Sequence, residues 1–264
     1  MNRVTPQLIA VDVGNSRIKL GMFAEMPASA STQPIASLEI DAHDWAPNEL
    51  LSWLGHTPGV AWRIASVNPR VCQHLVDCLQ TNSPPGVNLQ VLTNADFPIQ
   101  IAVKRHDLVG QDRLAAAVAA NSLRPSGASA IIIDLGTAIT ADALSAQGEF
   151  LGGAILPGIG MSARALCEFT AQLPKIDMTE LNAAPSPLGI DTEMAMRAGL
   201  FWGAVGAMRE LIDQYTTLTG ATPWVVLTGG TAPSVASLLG ESVMWLPHLT
   251  LSGIALTNPR ISHT

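Results

Sequence analysis

The sequence is short of charge. Only 13% of its 264 residues are Asp, Glu, Lys or Arg, about half the share of an average soluble domain. Lysine occurs at Lys19, Lys104 and Lys175 alone, and the formal net charge is −7. A nucleic-acid surface needs a cationic stripe, which this composition cannot supply. Low charge beside 48% hydrophobic residues can mark a membrane protein, but no run approaches the ~20 uninterrupted apolar residues of a spanning helix. The opening MNRVTPQLIAVDVG meets Asp12 after a short apolar run and lacks a small-residue cleavage site, so no signal peptide is expected. Cys72, Cys78 and Cys167 are odd in number and lack CxxC spacing. That pattern speaks against zinc or a disulfide framework and fits a reducing cytoplasm. His43, His56, His74, His106, His248 and His263 show no paired metal-ligand spacing.

What the chain does have is an internal echo. The run Leu8–Val13 breaks at Asp12-Val13-Gly14-Asn15-Ser16, and Ile131–Ile133 breaks at Asp134-Leu135-Gly136-Thr137. The two aspartates stand about half a chain length apart, the spacing of a duplicated domain and not of a short solenoid repeat. Unalternating apolar runs of this length read as strands buried on both faces. Two more, Trp62–Val67 and Val225–Leu227, end at Asn68-Pro69 and Thr228-Gly229-Gly230. Leu114–Asn121 is mostly alanine, the best helix former. Thr192–Tyr215 reads as a longer helix, with apolar residues at Met194, Ala198, Phe201, Val205, Met208, Ile212 and Tyr215. Those steps make a heptad seam, and Gly199 and Gly203 would admit another backbone. Met26–Pro34 and Thr81–Gly86 read as loops. The whole is an α/β chain in two similar halves, expected to divide into residues 1–113 and 114–264 and to pack around a cleft.

Three places carry candidate chemistry. Glycine after each strand-ending aspartate leaves backbone N–H groups facing a concavity, a nest suited to phosphate oxygens. An aspartate among phosphates needs a cation or ordered water between them, so Asp12 and Asp134 imply a bound metal ion or a water shell. Gly110-Gln111-Asp112-Arg113 precedes the alanine-rich helix. There Asp112 either caps the helix or takes a proton from an alcohol attacking a phosphoryl group. Arg113 either solvates the first turn or grips an anionic substrate group through its fork. Gly152–Gly160 reads as a tight turn between a strand and a helix starting near Met161, and His106 as a surface loop residue.

Taken together these motifs resemble the type III pantothenate kinases, members of the actin-like ATPase superfamily with its duplicated, ribonuclease H-like fold. Asp12-Val13-Gly14-Asn15-Ser16-Arg17-Ile18-Lys19 is similar to the family's first phosphate motif, with Ser16 where threonine is usual. Gly110–Arg113 is similar to its Gly-x-Asp-Arg signature, and Asp134–Thr140 to its second phosphate motif. Gly152–Gly158, Thr192 with Gly199 and Gly203, and Pro247–Gly253 match its remaining elements. The resemblance implies transfer of the γ-phosphoryl of ATP to the primary hydroxyl of pantothenate, the first step toward coenzyme A, in the cytoplasm. It implies Asp112 as general base, with Gly110, Gln111, Asp112, Arg113 and Thr192 on pantothenate. Thr192 would reach across a homodimer interface. Asp12, Val13, Gly14, Asn15, Ser16, Arg17, Ile18, Lys19 and Thr137 would hold ATP. Asp134 would bind potassium or ammonium, with Mg2+ arriving on ATP. One departure stands out: Val103 and His106 occupy positions where members often carry a substrate-contacting tyrosine and a proline. The alternatives are a small-molecule kinase of the same superfamily with another substrate and a non-catalytic regulatory relative.

Overall fold

The computed structural model describes residues 6–55, 57, 59–82, 88–178 and 183–258. His56, His263 and most of the expected Thr81–Gly86 loop lie outside them; Thr81 and Asn82 close a helix. Met26–Pro34 carries neither helix nor strand, as expected.

The chain forms two compact units, one from Met1–Leu123 and His248–Thr264, the other from Arg124–Pro247. In the first, β1 (Leu8–Val13) pairs antiparallel with β2 (Arg17–Phe23), and β2 with β3 (Ala36–Asp41). On its other side β1 runs parallel to β4 (Ala61–Ser66), which runs parallel to β5 (Asn88–Val91). Every residue of β1 is buried, the condition that lets a strand carry no polar alternation. One sheet face, with Ile9, Val11, Trp62 and Ile64, packs on α1 (Pro47–Leu54) and α2 (Pro69–Asn82) through Leu50, Leu54, Leu75 and Leu79.

The second unit repeats the plan. β6 (Ala130–Leu135), β7 (Ala138–Leu144) and β8 (Phe150–Pro157) form the antiparallel ribbon, while β9 (Trp224–Thr228) and β10 (Met244–Trp245) add the parallel strands. The two sheet orders, β3-β2-β1-β4-β5 and β8-β7-β6-β9-β10, correspond strand for strand. Its helices are α4 (Ile159–Glu168), α5 (Thr192–Thr219) and α6 (Ala232–Leu239). The ends of α5 are encoded locally. The Asp191 carboxylate accepts the Met194 amide at 2.7 Å, and Gly220 stops the helix at φ +67°, the left-handed turn that glycine adopts cheaply.

Three expectations need correction. The boundary at residue 113 is displaced, because α3 (Gln111–Leu123) belongs to the first unit, joined there by α7 (Leu249–Ala255) from the far end of the chain. Residues Leu114–Ala120 are all buried, and Gly253 presses against the Ala115 carbonyl with no room for a Cβ. Arg63 on β4 donates to the Ala255 carbonyl at the end of α7, where the helix dipole favours a cation. Second, Gly152–Pro157 is strand and not turn. The strand pair shifts register at Ala143/Leu144, and Gly153 lies against the buried Asp142, whose Oδ1 would sit 2.5 Å from a Cβ. Third, beyond the exposed Met194 the heptad seam faces its own unit and is not left as a free surface. Ala198, Phe201, Val205 and Met208 are buried, the last three in their own unit's core, whereas Gly199, Gly203 and Gly206 are exposed.

Candidate active site

The first phosphate-type loop is the β1–β2 hairpin. Asp12 is 8% exposed and stands opposite Lys19 on β2 and Ala65 on β4. The Gly14 amide donates to the Arg17 carbonyl at 2.9 Å and closes the turn; a Cβ on Gly14 would come within 3.1 Å of that oxygen. Asn15 is exposed at the tip. His43 Nε2 donates to its carbonyl at 2.8 Å, and Asn68 Nδ2 to its Oδ1 at 3.4 Å. The Ala42 amide donates to the Ser16 carbonyl at 3.0 Å. Val13 and Ile18 are core side chains, so they can offer a ligand only backbone. The Arg17 guanidinium lies on β3, 3.4 Å from Glu39 and 3.5 Å from Asp41. Asp41 also accepts the His43 amide at 2.9 Å, and this bond, ahead of the Asp44 amide and the Arg17 charge, holds its carboxyl below the usual range. Lys19 lies close enough to His248 to disfavour its protonation, though partial burial of the imidazole is the larger cause of its lowered pKa.

The second loop, between β6 and β7, is closed differently. Asp134 pairs in register with Thr140 on β7 and with the buried Thr228 on β9. The Gly136 amide donates to the Ala138 carbonyl at 3.1 Å, and the Gly158 amide to the Thr137 carbonyl at 3.0 Å. A Cβ on Gly158 would lie 2.5 Å from the Gly136 carbonyl oxygen. Gly229, at φ +97°, would place a Cβ 2.6 Å from the Leu135 carbonyl and 2.7 Å from Asp134 Oδ1. Thr231 Oγ1 donates to the Leu135 carbonyl at 3.3 Å. Thr228-Gly229 therefore walls this loop, and at position 229 only glycine fits.

The acidic motif stands at the head of α3. The Leu114 amide donates to the Gly110 carbonyl at 3.2 Å, so Gly110 takes the cap position. Asp112, half-buried, accepts the Arg113 amide on Oδ1 at 2.8 Å. A Cβ at position 110 would meet that oxygen at 2.5 Å; glycine makes room for the carboxylate to lean over the helix start. Gln111 is committed elsewhere. Its Oε1 accepts the Ser66 amide at the end of β4, and its Nε2 donates to the Leu92 carbonyl just past β5, each at 2.8 Å. The preceding loop is pinned by Asn94, whose Nδ2 donates to the carbonyls of His106 and Val109 at 2.9 Å each. Arg105 and Asp107 pair at 2.9 and 2.7 Å, and the guanidinium holds the Asp107 carboxyl below its ordinary value. Val103 is partly buried and His106 is exposed in a short turn.

The structure thus gathers Asp12–Lys19 and Gly110–Arg113 in one unit, and Asp134, Thr137 and Thr192 in the other. Thr192, first residue of α5, does not share the Asp134 hairpin. It lines an apolar groove of about 410 Å³ with Leu166, Leu173, Ala195, Met196, Gly199 and Leu200. His43, Asn68 and Asn94 were not singled out by the sequence. Their signal is weak, a polar residue beside a strand end, and their partners lie 12 to 53 positions away. Among the described residues no group of three or more His, Cys, Asp or Glu gathers as a metal cage, and no helix is long and apolar enough to cross a membrane.

Comparison with known proteins extends this geometry. Residues 8–214 match the family model for type III pantothenate kinase. A type III pantothenate kinase from Moorella thermoacetica is 34% identical over 96% of this chain and 99% of its own length. One from Dehalococcoides mccartyi is 33% identical over 95% and 94%. Among solved structures, a Campylobacter jejuni protein described as a Baf family transcriptional activator superposes with a TM-score of 0.57 at 19% identity, covering 93% of this chain and 94% of its own. A Sinorhizobium meliloti protein described as a 2-dehydro-3-deoxygalactonokinase gives 0.52 at 15%, covering 94% and 97%. At such identities these structures speak for the fold alone, which is the duplicated actin-like one.

Proposed function

The chain belongs to the type III pantothenate kinase family, and from that premise we propose that it transfers the γ-phosphoryl group of ATP to the primary hydroxyl of pantothenate, the first step of coenzyme A biosynthesis. The observation that carries this reading is the end-to-end match to the two pantothenate kinase relatives. Asp112 is the general base: it accepts the hydroxyl proton as the oxygen bonds to the γ-phosphorus and the bond to the β–γ bridging oxygen breaks, releasing ADP. Arg113 holds an anionic group of the acceptor, and Gly110 gives the Asp112 carboxylate its space. Each glycine hairpin offers phosphate oxygens the backbone N–H groups of its own loop, the first with Lys19 and the second with the Thr137 hydroxyl.

Two cations enter this reading. Single carboxylates, with no acidic cage among the described residues, suit a divalent ion held largely by phosphate oxygens and water, near Asp12. The Asp134 carboxylate, the Leu135 carbonyl and the Thr137 and Thr140 hydroxyls are hard oxygen donors, the set a potassium or ammonium ion takes. Gly229 is packed against the Leu135 carbonyl and Asp134 Oδ1, so a side chain there would crowd these donors. These ions supply charge neutralisation; the proton is handled by Asp112.

A second copy of the chain belongs to the same reading. It would cover the exposed Gly199, Gly203 and Gly206 face of α5 and nearby Phe169 and Ile190, which are 80% and 85% exposed. Thr192 at the head of that helix would then face the partner's acceptor. Sedimentation at micromolar concentration reads a dimer if this is right, and a monomer contradicts it. The site of action is the cytoplasm. The test of the function is coupled ADP release with and without pantothenate. Pantothenate-dependent ADP release is expected; ADP release that pantothenate does not change overturns the assignment.

A further inference from the structure

The first unit contains a line of hydrogen bonds running from the head of α3 to the tip of the β1–β2 hairpin. The Leu92 carbonyl takes Gln111 Nε2, and Gln111 Oε1 takes the Ser66 amide, both at 2.8 Å. Ser66 Oγ accepts the Asn68 amide at 3.0 Å. Asn68 then divides its side chain. Its Oδ1 accepts the Val71 amide at 3.2 Å in the first turn of α2, and its Nδ2 donates to Asn15 Oδ1 at 3.4 Å. Beyond Asn15 the line ends at His43, on the carbonyl of the same residue. Gln111, Ser66 and Asn68 are half-buried, where a hydrogen bond is exchanged less freely with water, whereas the links onto Asn15 are exposed.

We infer that Gln111, Ser66 and Asn68 are positioning residues that tie the acidic motif carrying Asp112 to the phosphate loop carrying Asn15, so that each is held in register with the other. The inference rests on the proposed kinase function. It assigns Gln111 a different task from substrate contact, because both polar ends of its side chain already have backbone partners in the protein. It also gives Asn68 two separable tasks, capping α2 and reaching Asn15. The link to Asn15 is the longest of the series and the easiest to cut cleanly.

Asn68→Ser keeps a good helix cap and is too short to reach Asn15. Gln111→Met keeps the bulk and removes both hydrogen-bonding ends. With ATP and pantothenate, Asn68→Ser is expected to raise the KM for both substrates by about twofold to tenfold, the loss of one hydrogen bond, with an unchanged melting temperature. The double variant is expected to be no worse than the worse single one, since a line cut twice is lost once. An effect of Asn68→Ser confined to ATP, or a double variant impaired by the product of the single effects, overturns the inference. Asn68→Ser alone carries the test if Gln111→Met does not fold. ATP affinity by calorimetry, without any acceptor, separates this inference from the function. If the unsubstituted chain ignores pantothenate but Gln111→Met still weakens ATP binding, the acceptor assignment fails and the tie stands. If Gln111→Met binds ATP as the unsubstituted chain does, the tie fails.

Discussion

The two hairpins share a strand plan and differ in what holds their loops. The Asp12 loop is fastened by polar contacts from outside the hairpin: His43 and Asn68 on Asn15, and the Ala42 amide on Ser16. The Asp134 loop also accepts two hydrogen bonds from outside, from the Gly158 amide and the Thr231 hydroxyl, and adds close backbone approach, with Gly158 against Gly136 and Thr137 and Gly229 against Leu135 and Asp134. The two units share the order and direction of their strands, while the hairpin register differs by one residue, with Asp12 opposite Lys19 and Asp134 opposite Thr140, and the loops are stabilised by local means. Polar fastening can loosen by degrees. Backbone contact cannot, because a glycine without room for a Cβ admits no other residue.

That difference can be broken or sharpened in order of effect. Gly158→Ala and Gly229→Ala should each destabilise the second unit by about 3 kcal/mol or more, through overlap with backbone that cannot shift. Gly229→Ala adds the strain of its positive φ. Denaturant unfolding measures this, and wild-type midpoints would show that the second loop is not held by glycine contact. Next, exchanging potassium for sodium should lower turnover, since the Asp134 loop is the one assigned to the monovalent ion. Equal rates in the two salts would remove that assignment. His43→Ala should raise the KM for ATP by about twofold to tenfold while leaving the fold intact, the effect of one hydrogen bond. No change in ATP KM would mean the first loop stands without His43. The smallest effect is an acid one. The Asp41 carboxyl titrates below its unfolded value because of the His43 amide. Its contribution is therefore complete above the ordinary carboxylate range and fades as pH falls through the lower folded value. Asp41→Asn should flatten the acid limb of stability slightly; an unaltered limb would show that the contact carries nothing.

Much of this was legible in the sequence, for reasons that differ by element. Strands β1, β4, β6 and β9 announce themselves because strands buried on both faces need unbroken apolar runs, and α3 because alanine favours helix locally. The return of α7 to the first unit was not legible: its fit against α3 depends on Gly253 meeting Ala115, more than a hundred residues away. Periodicity located the seam of α5 but cannot say whose surface fills it, and here the unit's own core does. Glycine in Gly152–Pro157 suggested a turn, yet these residues are strand that must clear Asp142. At the site, the residue types of Gly110–Arg113 and both hairpins stood out. The commitment of Gln111 to Ser66 and Leu92, and of Arg17 to Glu39 and Asp41, depends on partners that only the fold brings near.

The most direct test of the account is the turnover of Asp112→Asn with ATP and pantothenate, measured beside its affinity for ATP. Asparagine preserves the shape and the acceptor for the Arg113 amide but cannot take the proton. The account predicts turnover lower by about 10²-fold or more with ATP binding unchanged; full turnover in this variant would contradict it.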